Sequence, residues 1–247
     1  MTFTRNWLRA VPPILLSLDW AYVIATRPTF DDRSQFAPSV FWPQVVIFLV
    51  ILGLSALSEP GMLNKKNLSL VGIGVVLDLA IGSMFFNVNL GVYLDTVGTV
   101  LVAAILGAQF GALTSMLSQG ILLIFYPSVI PFYMINVMVG WLAGLAARYG
   151  GFANRISTAV SGLIAGALVG LIAAPLMSLG LGDDPTQLDY TPMELLRMFL
   201  GVFFGGLAHE GFISDPLDKA IIFLAILFLA PRVARWLKIE KPLLLDA

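Results

Sequence analysis

The 247-residue chain has no cysteine and a single histidine, His209. The first absence excludes disulfides, thiol chemistry and cysteine metal sites; the second excludes a histidine-rich metal cluster. Charge is also scarce. Asp, Glu, Lys and Arg make up 12% of the residues, about half of the roughly 25% usual in soluble domains. The net charge of −1 gives no electrostatic case for nucleic acid. No nucleotide-binding glycine loop, nucleophile elbow, paired metal motif or intramembrane protease pattern is present. The chain is therefore not expected to hydrolyse ATP by itself, to act as an enzyme or to carry a cofactor or metal.

What fills the sequence instead is apolar: 58% hydrophobic residues and a mean hydropathy of +0.90. Such a chain cannot hide its surface in one soluble core, and the expected fold class is an all-α, polytopic membrane helical bundle. Apolar runs lie near 10–26, 39–58, 68–86, 92–107, 109–126, 131–148, 157–178, 197–212 and 219–235. A helix needs about 20 residues to cross the hydrocarbon, and the second, third, sixth and seventh runs meet that. The first is short and interrupted by Asp19; no small-residue cleavage pattern follows it, so it reads as a retained segment. The fourth and fifth are joined by "LGAQFGA" as a helical hairpin. The run at 197–212 is short and opens with Arg197.

Basic residues favour the cytoplasmic side. With the N-terminus inside, Lys65, Lys66, Arg148 and Arg155 fall inside, and the 179–196 loop, which holds Asp183, Asp184, Asp189 and Glu194, falls outside. The tail carries Arg232, Arg235, Lys238 and Lys241 and belongs inside. One crossing after residue 179 satisfies this. The expectation is about eight crossings, both termini cytoplasmic, and 197–212 as a re-entrant or outer-surface helix before the last span. Gly162, Gly166 and Gly170 form a small-residue ridge, and Gly140/Gly144 and Gly201/Gly205 repeat the spacing. Plain packing within the chain explains such ridges; a docking role is the rival.

Acids inside apolar sequence are the informative residues. In "NLGVYLDTVGTVLVAAILGAQFGAL" (89–113), Asp95 stands at the outer start of the fourth run, with Thr99 one turn further in on the same face. "SDPLDK" places Asp215, Asp218 and Lys219 at the outer start of the last run, at the same depth. These residues make either a pocket or a helix start, with Asp215 as N-cap and Pro216 in the first position. Asp78 lies near the middle of "LSLVGIGVVLDLAIGSMFF" and is expected to be enclosed by protein. Asn136, in "FYMINVMVGWLAG", can hydrogen-bond either a ligand or a neighbouring helix. His209 and Glu210 sit on the short outer helix, beneath the acidic loop.

Three stretches, "YLDTVGTVLVAAILGAQFGALTSMLSQGI", "PFYMINVMVGWLAGLAA" and "SDPLDKAIIFLAILFLAPR", together resemble the substrate-binding S component of energy-coupling factor (ECF) transporters. The resemblance covers about residues 68–236. It implies a six-helix membrane domain over 67–247, behind an N-terminal extension over 1–66 with one or two added helices. It also implies a solute cavity opening outward, no catalysis, a membrane coupling subunit and cytoplasmic ATPases as partners, and residence in a prokaryotic cytoplasmic membrane. The expected function is binding and uptake of a vitamin-like or other small micronutrient. The candidate binding residues are Asp95, Thr99, Asn136, Glu210, Asp215, Asp218 and Lys219. The alternative is a non-transporting, S-component-like subunit or sensor that docks another membrane complex. A membrane enzyme using Asp95, Asp218 and Glu210 is the third possibility.

Overall fold

The computed structural model describes residues 6–26, 38–58, 64–86, 93–180, 210–239 and 242–246, and among them every regular element is helical. The helices are α1 (Asn6–Thr26), α2 (Pro38–Ser58), α3 (Lys65–Phe86), α4 (Val97–Leu106), α5 (Ala108–Phe125), α6 (Tyr133–Arg148), α7 (Arg155–Gly180), α8 (Glu210–Trp236) and the short α9 (Leu243–Asp246), with a 3₁₀ turn at Pro127–Phe132. Among the described residues five segments are long and apolar enough to cross a membrane: Phe41–Ser58, Lys65–Met84, Ala108–Phe125, Ile130–Arg148 and Arg155–Ala173. The apolar stretches of α1 and α4 are shorter. The all-α bundle expected from composition is what forms.

The bundle is built around α4. At 10 residues it is about 15 Å long, half of the roughly 30 Å hydrocarbon thickness. It can be this apolar because it is enclosed by other helices: every residue from Val97 to Ile105 is buried. α3, α5, α6 and α8 pack around it. Its C-terminus turns into α5 through Gly107 alone, at φ +100°, a backbone conformation that suits glycine. At the other end Gly98 lies against Gly74 of α3 so closely that a methyl group on Gly98 would overlap the Gly74 carbonyl. That contact sets the α4 N-terminus beside Asp78.

The α7–α8 pair is the other close seam. A methyl at Gly162 would strike Lys219 and Ala220 backbone, and one at Gly166 would strike Asp215 and Pro216. Gly140 and Gly144 similarly admit the backbone of α5 and of the turn before it, at Gly111, Gly107 and Ala108. These ridges are filled by helices of the same chain, as plain packing requires. Gly201 and Gly205 lie outside the described residues.

Two expectations are corrected here. The last helix opens at Glu210, so Asp215, Pro216, Asp218 and Lys219 lie in its interior rather than in its first turn. Pro216 removes one backbone donor, but the helix continues through it, seated on Gly166. The capping explanation for these acids therefore fails. The fourth run does not begin as helix at Asp95 either. Asp95 and Thr96 form a turn, α4 starts at Val97, and Leu94 before them has φ +48°, an uncommon conformation for a branched residue. Of the expected outer helix, residues 197–209 lie outside the described residues, and residues 210–212 belong to α8.

Two apolar clusters hold the bundle. The larger joins α3 to α8, with Leu101, Ile105, Phe223 and Ile226 buried in it; Phe152 stacks on Phe223 at 5.1 Å. The second attaches α1 and α2 to α5, α6 and α7 through Leu16, Phe48, Ile51, Met116 and Tyr133. At one end of the bundle Lys66 Nζ donates to the Lys238 carbonyl at 2.8 Å, and Leu243 reaches Gly107. Lys65, Arg148, Arg155, Arg232 and Arg235 occupy helix ends on this same side. Asp95 and Asp218 lie toward the other.

Candidate functional site

The site gathers residues from the turn before α4, from α6 and from α8. Lys219 Nζ contacts Asp218 Oδ2 at 2.5 Å and Asp95 Oδ1 at 3.3 Å. Asn136 Nδ2 donates to the second Asp95 oxygen at 3.2 Å. The Leu94 N–H donates to Asp218 Oδ1 at 2.9 Å. Asp218 thus has one oxygen on the lysine and one on the backbone. It fixes the positive-φ residue that carries Asp95 into place. Asp215 lies one turn before Lys219, over Gly170 of α7, and is near enough to feel the charges of Lys219, Asp218 and Asp95.

Burial grades through this cluster. The Asp218 side chain is 0% exposed and that of Lys219 4%, whereas that of Asp95 is 33%. A buried charge is tolerated when it is paired and hydrogen-bonded, and the Asp218–Lys219 pair meets that condition. Asp95 forms the accessible edge, backed by Lys219 and flanked by Asn136. The ammonium sits between two carboxylates. Among the described residues no group of three or more His, Asp or Glu is placed to hold a metal.

Of the candidates read from sequence, Asp95, Asn136, Asp218 and Lys219 come together, with Asp215 beside them. Thr99 does not join. It is buried and turned the other way, with its hydroxyl 2.7 Å from Asp78 Oδ2. The reason is the late start of α4: Asp95 is in the turn, so it and Thr99 do not share a helical face. Glu210 is the first residue of α8, and its side chain lies outside the described residues, as does His209.

Asp78 is enclosed, at 4% exposure. It accepts the Gly98 N–H (2.7 Å), the Thr99 N–H (3.0 Å) and hydroxyls from Thr99 and Ser118 (2.7 and 3.0 Å). It therefore caps α4 from a neighbouring helix, satisfying donors that α4 cannot satisfy itself. A second buried cluster went unread in sequence. Asp19 of α1 accepts from Gln44 of α2 and from the Tyr133 hydroxyl of α6, both at 2.7 Å. The available signal was an acid in the middle of an apolar run. Beside it, an apolar cavity of about 420 Å³ lies between α1, α6 and α7, walled by Leu16, Trp20, Met134, Met138 and Trp141.

Fold and composition together define a helical membrane-protein class. Compared with models of protein families, with curated proteins and with solved structures, the chain matches none.

Proposed function

We propose that this chain is a solute-binding membrane component of the energy-coupling factor type, taking up a vitamin-like or other small micronutrient through a site at Asp95, Asn136, Asp218 and Lys219. The observation that carries this reading is the graded ion network. A fully buried Asp218–Lys219 pair backs a carboxylate that is one-third exposed and held on both oxygens. A structural ion pair needs no accessible third member; a binding site does. Asp95 and Asn136 would meet a polar group of the solute, with Lys219 holding Asp95 from behind. Asp215 would add negative charge at the rim.

In this reading residues 67–247 form the solute-binding domain and residues 1–66 an added pair of helices. About eight crossings put both termini in the cytoplasm of a prokaryotic cell. The basic end that carries Lys66, Arg148 and Lys238 faces inward, in keeping with the preference of basic residues for that side. A membrane coupling subunit and cytoplasmic ATPases would supply the energy. The second reading, a subunit or sensor docking another membrane complex, draws on α1 and α2, which add a separate apolar cluster to the bundle. It cannot use the Gly162–Gly166 ridge, which α8 fills.

Native mass spectrometry of the gently extracted protein tests the proposal. Uptake function predicts a small polar molecule retained with the chain and ATPase subunits among its partners. A chain that carries no small molecule and copurifies only with other membrane proteins would favour the docking reading.

A further inference from the structure

At the basic end of the α7–α8 seam two arginines meet one residue, Phe228, one at its ring and one at its backbone carbonyl. The Arg155 guanidinium, at the start of α7, stands 5.5 Å from the centroid of Phe228. One turn beyond Phe228 on α8, Arg232 donates through Nη1 to the Phe228 carbonyl. Both arginines are exposed. The ion pairs among the described residues belong to Lys219, so no described carboxylate neutralises either arginine. The N-terminal end of α7, whose Asn154 caps the Ser157 N–H, adds further positive potential at the same place. Tyr149 and Trp236, both strongly exposed, lie at this same end, the level at which amphipathic aromatics meet headgroups.

From these positions we infer that Arg155 and Arg232, flanking Phe228, bind the phosphodiester headgroup of an anionic phospholipid. A planar guanidinium fork suits phosphate oxygens, and two of them held at the same residue define a single position rather than a diffuse field. The apolar surface that continues from this point sets the occupant as a lipid rather than free phosphate. Ile156, Val160 and Leu163 on α7, with Ile221 and Leu229 on α8, are all exposed and give acyl chains a track along the same two helices. The site is independent of the solute network, which lies toward the opposite end of the seam.

The test uses the full chain in mild detergent, with phosphatidylglycerol or phosphatidylcholine of identical acyl chains, and with glycerol 3-phosphate as the headgroup alone. Bound lipid is counted by native mass spectrometry. Phosphatidylglycerol should be retained in preference to phosphatidylcholine, and glycerol 3-phosphate should not be retained. The pair Arg155→Gln and Arg232→Gln should lower phosphatidylglycerol retention on the order of thirtyfold, since each basic group near a headgroup contributes about a factor of five. Lys65→Gln with Lys66→Gln removes the same charge from the same end but should leave retention within about threefold, because screening confines the effect to nearby groups. Equal retention of the two lipids, or equal losses in the two variant pairs, would overturn the site. Glycerol 3-phosphate bound as firmly as the lipid would overturn the lipid as its occupant.

Discussion

Asp78 of α3 holds Thr99 of α4 by two bonds, taking its backbone N–H at 3.0 Å on one oxygen and its hydroxyl at 2.7 Å on the other. The same carboxylate takes the Gly98 N–H. The N-terminal residues of this half-length helix are buried, so their free donors need an acceptor from elsewhere in the protein. Asp78→Leu would strand three donors, the Gly98 and Thr99 N–H groups and the Thr99 hydroxyl, while Ser118 keeps the Thr114 carbonyl, and should destabilise the protein by about 3–5 kcal/mol. Asp78→Asn keeps one carbonyl oxygen and should cost about 1–2 kcal/mol. Thermal unfolding in a fixed detergent separates them; equal melting temperatures for the two variants would refute the capping role.

Asp218 and Lys219 should behave as one unit. Lys219→Met leaves the fully buried Asp218 carboxylate without its cation, and a loss of about 3–5 kcal/mol is expected. Adding Asp218→Asn to that variant removes the stranded charge while keeping an acceptor for the Leu94 N–H, so much of the loss should return. The check is a double-mutant cycle on melting temperature. Additive losses would mean that the two side chains do not depend on each other.

The helical class and the enclosure of Asp78 were legible in the sequence because they follow from hydropathy and from the cost of a charge in hydrocarbon. The meeting of Asp95, Asp218 and Lys219 was legible in part, since they fall at matching ends of apolar runs. The local detail around them was not. Whether Asp215 and Pro216 begin a helix or sit inside one depends on the close approach of Gly166, a contact between segments far apart in the chain. Thr99 shares a face with Asp95 only if α4 begins at Asp95. The two-residue turn at 95–96 rotates it toward Asp78 instead. Asp19 found its partners on α2 and α6, where a one-dimensional pattern gives no indication of them.

The α1 and α2 helices should be anchored through Asp19. Tyr133→Phe removes one donor to that carboxylate and should lower stability by about 1–2 kcal/mol. Asp19→Leu leaves the Gln44 amide and the Tyr133 hydroxyl without this acceptor and should cost more. Melting temperature and expression yield, measured on both variants, read both effects. An Asp19→Leu protein as stable as the parent would show that the added helices are held by apolar contact and the Trp20 indole bond to the Ile172 carbonyl instead.

The glycine ridge should be intolerant of bulk for internal reasons. Gly166→Leu places a side chain where the Asp215 and Pro216 backbone lies, and overpacking at such a contact costs about 1–3 kcal/mol or more. Leu168, on the same helix but exposed, should accept Ala with a change within about 0.5 kcal/mol. Expression yield and melting temperature measured on both variants decide it. A Gly166→Leu protein that folds normally yet loses a partner would move the ridge from the fold to an interface.

The central claim is that Asp95 is the solute-facing member of the network, and retention of the copurified solute by Asp95→Asn tests it most directly. Asn keeps the shape and, at one-third exposure, should change the melting temperature little, within about 1 kcal/mol of stability. The account predicts that this variant melts near the parent but loses most of the bound solute. Undiminished retention in a normally folded Asp95→Asn protein would contradict it and remove the network from the solute path.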